Sequence, residues 1–138
     1  MKITAHVNNS EGQHHITLTT NDYSHSIAIS PHPNGFGSST NGGELLFLAL
    51  ATCYCNDVYR EATKRNIKIE KVEVEVNGDF GAEGEPARNV TYRAKVYAKG
   101  TEDEIRALME HTDKVTEIQN TLRKGVDVKL SGIEVSIF

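Results

Sequence analysis

The stretch that most limits what this chain can become is Leu45-Leu-Phe-Leu-Ala-Leu-Ala51, a run without one polar side chain. Asn41-Gly-Gly-Glu44 leads into it, and Thr52-Cys53-Tyr-Cys55-Asn-Asp57 follows, so the same stretch carries both cysteines. A helix that is apolar all round must be covered all round. The expectation is a central buried helix from near Gly43 to about Lys64 or Arg65, with strands wrapped against it. Asn56 and Asp57 end the apolar run well short of the roughly 20 residues a bilayer span needs, so no membrane role is expected. Val58 to Arg65 is amphipathic, and Asn66 suits a left-handed stop.

Before this helix the chain reads as three short strands. Lys2–Val7 alternates, Asn8–Gly12 is a turn cluster, His15–Thr19 alternates with β-branched residues, and Ser26–Ser30 follows a turn at Asn21-Asp22. Residues 31–43 form a loop rich in glycine and proline, long enough to be functional or mobile; Phe36 within it is expected to tuck against an apolar surface. After the helix, Lys68–Val76 sets Ile69, Val72, Val74 and Val76 against Glu70, Glu73 and Glu75, a half-buried strand. Residues 78–88 make a polar hairpin loop, and Val90–Ala98 is the partner strand. Thr101-Glu-Asp-Glu104 is a capping box that starts a second helix. A break is allowed near Asp113 or Thr116, and Gly125 ends the helical region. Val126–Leu130 and Ile133–Phe138 alternate again and are expected to close the chain as strand. The order is βββ-α-ββ-α-β, an α+β pattern of antiparallel sheets around one helix.

A chain of 138 residues fits one domain, residues 1–138. Its net charge of −4, with no Lys/Arg cluster among aromatics, argues against nucleic-acid binding. The N-terminus lacks the apolar core of a signal peptide, so the cytoplasm is the expected compartment, and there the cysteines stay reduced. Lys2 is the only lysine or arginine before Arg60, while His6, His14, His15, His25 and His32 all lie in that segment; the plain reading is solvated strand faces.

The candidate reactive centre is the cysteine pair, with one carboxylate, Glu44, at the helix start. Cys53 and Cys55 diverge by about 200° around a helix, so neither a mutual disulfide nor joint chelation of one ion is expected. No His-x3-His or Cys-x2-Cys spacing is present, and neither a metal nor a cofactor is expected. Asp57 lies one turn beyond Cys53 on the same side. Glu44 and Cys53 fall on roughly opposite sides, about two and a half turns apart, so they meet only if Glu44 sits in a non-helical lead-in.

Four local features, in this order, resemble the OsmC/Ohr family of thiol-dependent hydroperoxide-handling proteins. They are Gly35-Phe36, then Glu44-Leu-Leu with Cys53 nine residues on, then Val72-Glu-Val-Glu-Val-Asn-Gly-Asp79, and finally Asn120-Thr-Leu-Arg-Lys-Gly-Val126. The resemblance implies a two-layer α+β fold and an intertwined homodimer, in which the amino-terminal strands of one chain complete the sheet and site of the other. It also implies chemistry. A cysteine thiolate takes the distal oxygen of an alkyl hydroperoxide and becomes a sulfenic acid, a second cysteine resolves it, and an arginine and a glutamate hold the reacting groups. Cys53 matches the first cysteine and Glu44 the glutamate. Thr116-Glu-Ile-Gln119 stands where the family carries its second cysteine, and no arginine precedes Arg60. A divergent member is therefore expected: a one-cysteine peroxidase reduced by an external thiol, or a dimer that keeps an apolar pocket and binds a small apolar ligand.

Overall fold

A computed structural model describes residues 1–138. The chain divides into two compact units, Met1–Leu46 and Phe47–Phe138, with the boundary inside a long helix.

The first unit is a three-stranded antiparallel meander, β1 (Ile3–Ser10), β2 (Gln13–Thr20) and β3 (Tyr23–Ile27), in the order β1-β2-β3. β3 starts earlier than the sequence pattern places it. Asn21, with φ of 53°, makes a tight turn that pairs Thr20 with Tyr23 at once, and asparagine tolerates that left-handed backbone. The pairings Val7↔Ile16 and Ile16↔Ile27 set Ile3, Val7, Ile16, Leu18, Tyr23 and Ile27 on one face. Ile16 is buried, yet Ile3, Val7 and Tyr23 are more than half exposed. His6 and His15 lie on the opposite, polar face.

The loop after β3 folds on itself. Pro31 bridges Ser38, and His32 N–H donates to Gly37 O. It is latched to the β1–β2 turn: Gly12 N–H donates to Gly35 O at 2.6 Å, and the Asn9 side chain both donates to Gly37 O and accepts from Gly37 N–H. Phe36 stays 60% exposed rather than tucked away.

Helix α1 runs Gly42–Lys64, and Asn66 (φ 55°) stops it as expected. Its fully covered stripe is Leu50, Tyr54, Asp57, Val58, Glu61 and Ala62. The all-apolar stretch before it is only half covered, with Leu48 at 59% exposure, so burial of the helix within one chain is one-sided. In the second unit, β4 (Ile69–Asp79) and β5 (Arg88–Ala98) form an antiparallel hairpin, with Val72↔Val96, Val74↔Ala94 and Val76↔Tyr92 paired. The alternation is not strict, because Ile69 and Val72 are three apart yet both face the core. A bulge between Ile69 and Lys71 flips the phase. These residues pack with Ile67 on Tyr54, Val58, Ala62 and Leu108, the core of this unit.

The capping box at Thr101 is present, with Glu104 bonding back to the Thr101 backbone, and starts α2 (Glu102–Val115). The helical region breaks at Thr116. Helix α3 (Glu117–Lys124) follows and ends on Gly125, φ 71°. No helix is long and apolar enough to cross a membrane. The final strand does not form, so the order within one chain is βββ-α-ββ-αα. Residues 126–138 keep their alternation but run with no neighbouring ladder, and Val128, Leu130, Ile133, Val135 and Ile137 are all exposed. A strand is defined by its partner's hydrogen bonds, and this segment has no partner in its own chain.

Candidate functional site around Cys53

Cys53 lies at the middle of α1, where the helix meets the α2–α3 break. Helical spacing puts Cys53, Asp57 and Arg60 along one side, at i, i+4 and i+7. Both cysteines are free and half-buried. The Cys53 thiol is directed at two carboxylates: Sγ is 3.5 Å from Asp57 Oδ2 and 3.9 Å from Glu117 Oε2. The other oxygen of each carboxylate is held by one guanidinium nitrogen, Arg60 Nη1, at 2.9 Å from Asp57 Oδ1 and 3.0 Å from Glu117 Oε1. Arg60 thus clamps the outer edges of the pair, and the inner edges face sulfur.

Thr116 closes the third side. Its Oγ1 is 3.2 Å from Cys53 Sγ and 2.9 Å from Gln119 Oε1. One hydroxyl proton serves one acceptor at a time. Gln119 in turn donates to Leu50 O at 2.9 Å. Thr116 is the N-cap residue of α3 but makes no side-chain cap bond; its hydroxyl points to Cys53 and Gln119 instead. Thr116, Gln119, Asp57 and Glu61 are all buried, so a polar floor lies under the thiol, and no buried side-chain polar atom in the chain lacks a partner.

The electrostatics divide the two carboxyls. Burial, then the hydrogen bond with Glu117, raises the Asp57 pKa. Glu117 is held low, first by its own backbone N–H at the start of α3, with help from Asp57 and Arg60. Of the two carboxyls, Asp57 is therefore the one more readily protonated. Glu61, next along the helix, is lowered to about 2 by hydrogen bonds from Lys64 and then Arg60, and His111 Nε2 lies 3.4 Å from it.

Cys53, Asp57 and Glu117 place one sulfur and two oxygens within 4.8 Å of one another. Arg60 already holds the outer oxygen of each carboxylate and offsets one of the two negative charges. Glu44, the other residue singled out by sequence, stands in the first turn of α1 rather than in a non-helical lead-in. It accepts from the Asn41 side chain at 2.7 Å, while its N–H donates to Asn41 Oδ1 at 2.8 Å. The groups in contact with Cys53 are Asp57, Thr116 and Glu117. Arg60 and Glu117 were not found by sequence reasoning. The i+7 spacing of Arg60 from Cys53 was a legible signal; for Glu117, on a different helix, the signal was its place in the Thr116-Glu-Ile-Gln119 segment.

A second feature of this unit is a groove of about 920 Å³ between β5 and α2, lined by Tyr54, Tyr92, Ala94, Val96, Ile105 and Met109 among others. At one end Tyr92 donates to Asp113, which also pairs with Arg123 at 2.6 Å. Burial, then Asp113, pushes the Tyr54 phenol up to about 12.

A family model described as OsmC-like protein matches residues 35–131. The chain belongs to the OsmC-like family. Solved OsmC structures share its fold at low identity. An OsmC-like protein from Mycoplasma pneumoniae aligns with a TM-score of 0.60 at 22% identity, over 90% of this chain and 87% of that one. An organic hydroperoxide resistance protein OsmC from Legionella pneumophila, described as a predicted redox protein, gives 0.57 at 21%, over 94% of both. The organic hydroperoxide resistance protein OhrB of Bacillus subtilis gives 0.53 at 19%, over 94% and 96%. No curated protein matches the chain. Within this OsmC-like chain, the break between α2 and α3 puts Thr116 directly against Cys53.

Proposed function

We propose that this OsmC-like protein is a one-cysteine thiol peroxidase that reduces organic hydroperoxides through Cys53, as a homodimer in a reducing compartment. The observation that carries the reading is the Cys53–Thr116 contact of 3.2 Å. The matched cysteine is kept in a polar, half-buried setting, and the side chain facing it cannot form a disulfide. Oxidation then stops at the sulfenic acid, which an external low-molecular-weight thiol reduces. Glu44 keeps the positioning role implied by its match. The names of the Legionella and Bacillus proteins, both hydroperoxide resistance proteins, support the substrate class. The homodimer is supported by the exposed apolar face of the meander and by the unpaired alternating segment 126–138, both of which call for cover by a second copy. The test is consumption of cumene hydroperoxide with excess dithiothreitol. The parent turns over and Cys53→Ser does not; equal rates would end the proposal.

A second reading is favoured by the β5–α2 groove, whose lining of Ala94, Val96, Ile105 and Met109 suits a small apolar ligand. A binding protein would be stabilised against heat by such a ligand, with no hydroperoxide consumption.

A further inference from the structure

We infer that the Asp57–Glu117 carboxylate pair, clamped by Arg60, carries the proton of the Cys53 reaction, taking it from the thiol and delivering it to the leaving oxygen of the hydroperoxide. This rests on the peroxidase reading and assigns catalytic residues to it.

Two carboxyl groups converge on one sulfur, each with an inner oxygen toward Sγ and an outer oxygen on the same Arg60 nitrogen. A guanidinium that holds both outer oxygens fixes both inner ones, and it offsets the second negative charge, so the pair needs only one shared proton to be neutral with its clamp. The groups facing this pair are Cys53 and Arg60 from α1 and Thr116 from the α2–α3 break, while Glu61 and the Val115 carbonyl face Arg60, and His111 faces Glu61. The thiol and the Thr116 hydroxyl are the proton-bearing neutral groups against the pair, and of the two the thiol is much the stronger acid. Arg60 touches no reacting atom and is a positioning residue.

The step balances. A lone pair on Cys53 sulfur forms an S–O bond to the distal oxygen of R–O–OH, and the O–O bond breaks with its electron pair leaving on R–O. The thiol proton passes to the carboxylate pair and from there to R–O, giving R–OH. Sulfur is oxidised by two electrons and becomes S–OH, and the peroxide is reduced. Two external thiols then return Cys53 to the thiol, releasing water and their own disulfide. A poorly departing alkoxide is where a positioned acid matters most.

The test compares two electrophiles on the full-length protein. Iodoacetamide expels iodide, which needs no proton; cumene hydroperoxide expels an alkoxide, which does. Rates at Cys53 are read by mass spectrometry, with dimedone trapping the sulfenic acid and Cys55 as the internal control. In Asp57→Asn, and in Glu117→Gln at the exposed end of the pair, the hydroperoxide rate should fall by about tenfold or more, the low side of what a positioned acid–base group supplies. Iodoacetamide labelling of Cys53 draws on removal of the thiol proton but not on its delivery to a leaving group, so it should fall by clearly less. Equal losses with both reagents would mean a merely structural role and overturn the inference, as would an unchanged hydroperoxide rate. Failure of the peroxidase reading looks different: the parent itself would form no Cys53 sulfenic acid.

Discussion

At Cys53, neighbours rather than position set the chemistry. Mid-helix, the thiol is beyond the first turn where a helix dipole acts, so whatever controls it must come from Asp57, Arg60, Thr116 and Glu117. Part of this was legible in sequence. Cys53 and Asp57 at i, i+4 had to share a side, and Thr116 had to lie in the segment replacing the second cysteine. Glu117 follows Thr116 in that segment, but its contact with α1 was not legible, because only the break between α2 and α3 swings it across. The geometry makes a direct prediction. Thr116→Cys puts a thiol where a hydroxyl now lies 3.2 Å from Cys53 Sγ, so mild oxidation should yield an intramolecular disulfide to Cys53. Non-reducing peptide mapping checks it; a variant that stays dithiol would mean the contact is not maintained. The acid–base behaviour of the buried carboxyls gives a second, with opposite signs at two residues. Glu61 titrates lower folded than unfolded. Its stabilisation is therefore complete above its unfolded value of 4.5 and is lost as pH falls toward about 2. Asp57 titrates higher folded than unfolded, so its ionisation opposes folding above its folded value, and the opposition vanishes below 3.8. Relative to the parent in thermal melts, Glu61→Gln should lose stability most at neutral pH and converge with it in acid. Asp57→Asn should gain relative to the parent as pH rises.

At the scale of elements, the long helix, its stop at Asn66, the β4–β5 hairpin and the capping box were all readable, because each is a local signal: apolar periodicity, a left-handed asparagine, alternation, Thr-x-x-Glu. What was not readable depends on partners. The terminal strand needs a ladder it does not find within its own chain, and β3 slid toward the Asn21 turn because pairing, not side-chain pattern, sets where a strand begins. The β4 bulge hid inside an alternation that only looked regular. One glycine in β4 marks a tight approach. A Cβ at Gly78 would lie 2.7 Å from Phe47 Cζ and 3.1 Å from Val90 Cγ2, so the bare backbone there is what lets the Phe47 ring pack. Gly78→Ala should cost about 1–3 kcal/mol, as overpacking does, seen as a lower denaturation midpoint with an unchanged slope. A neutral result would mean that the ring moves aside freely.

For the molecule as a whole, the question is what covers the apolar surfaces one chain leaves open. Ile3 at 62%, Val7 at 57% and Tyr23 at 72% exposure lie on a single face of the meander, and large contiguous apolar surface is what marks an interface. A homodimer is predicted, and sedimentation equilibrium should return twice the chain mass. Val7→Asp should shift it toward monomer, and a parent that sediments as monomer would contradict the proposal. Whether Cys53 is a peroxide-reacting thiol is decided by treating the protein with substoichiometric cumene hydroperoxide and dimedone and locating the adduct by peptide mass spectrometry. The adduct is expected on Cys53, with Cys55 unmodified. An adduct on Cys55 instead, or none on either cysteine while the hydroperoxide persists, would contradict it.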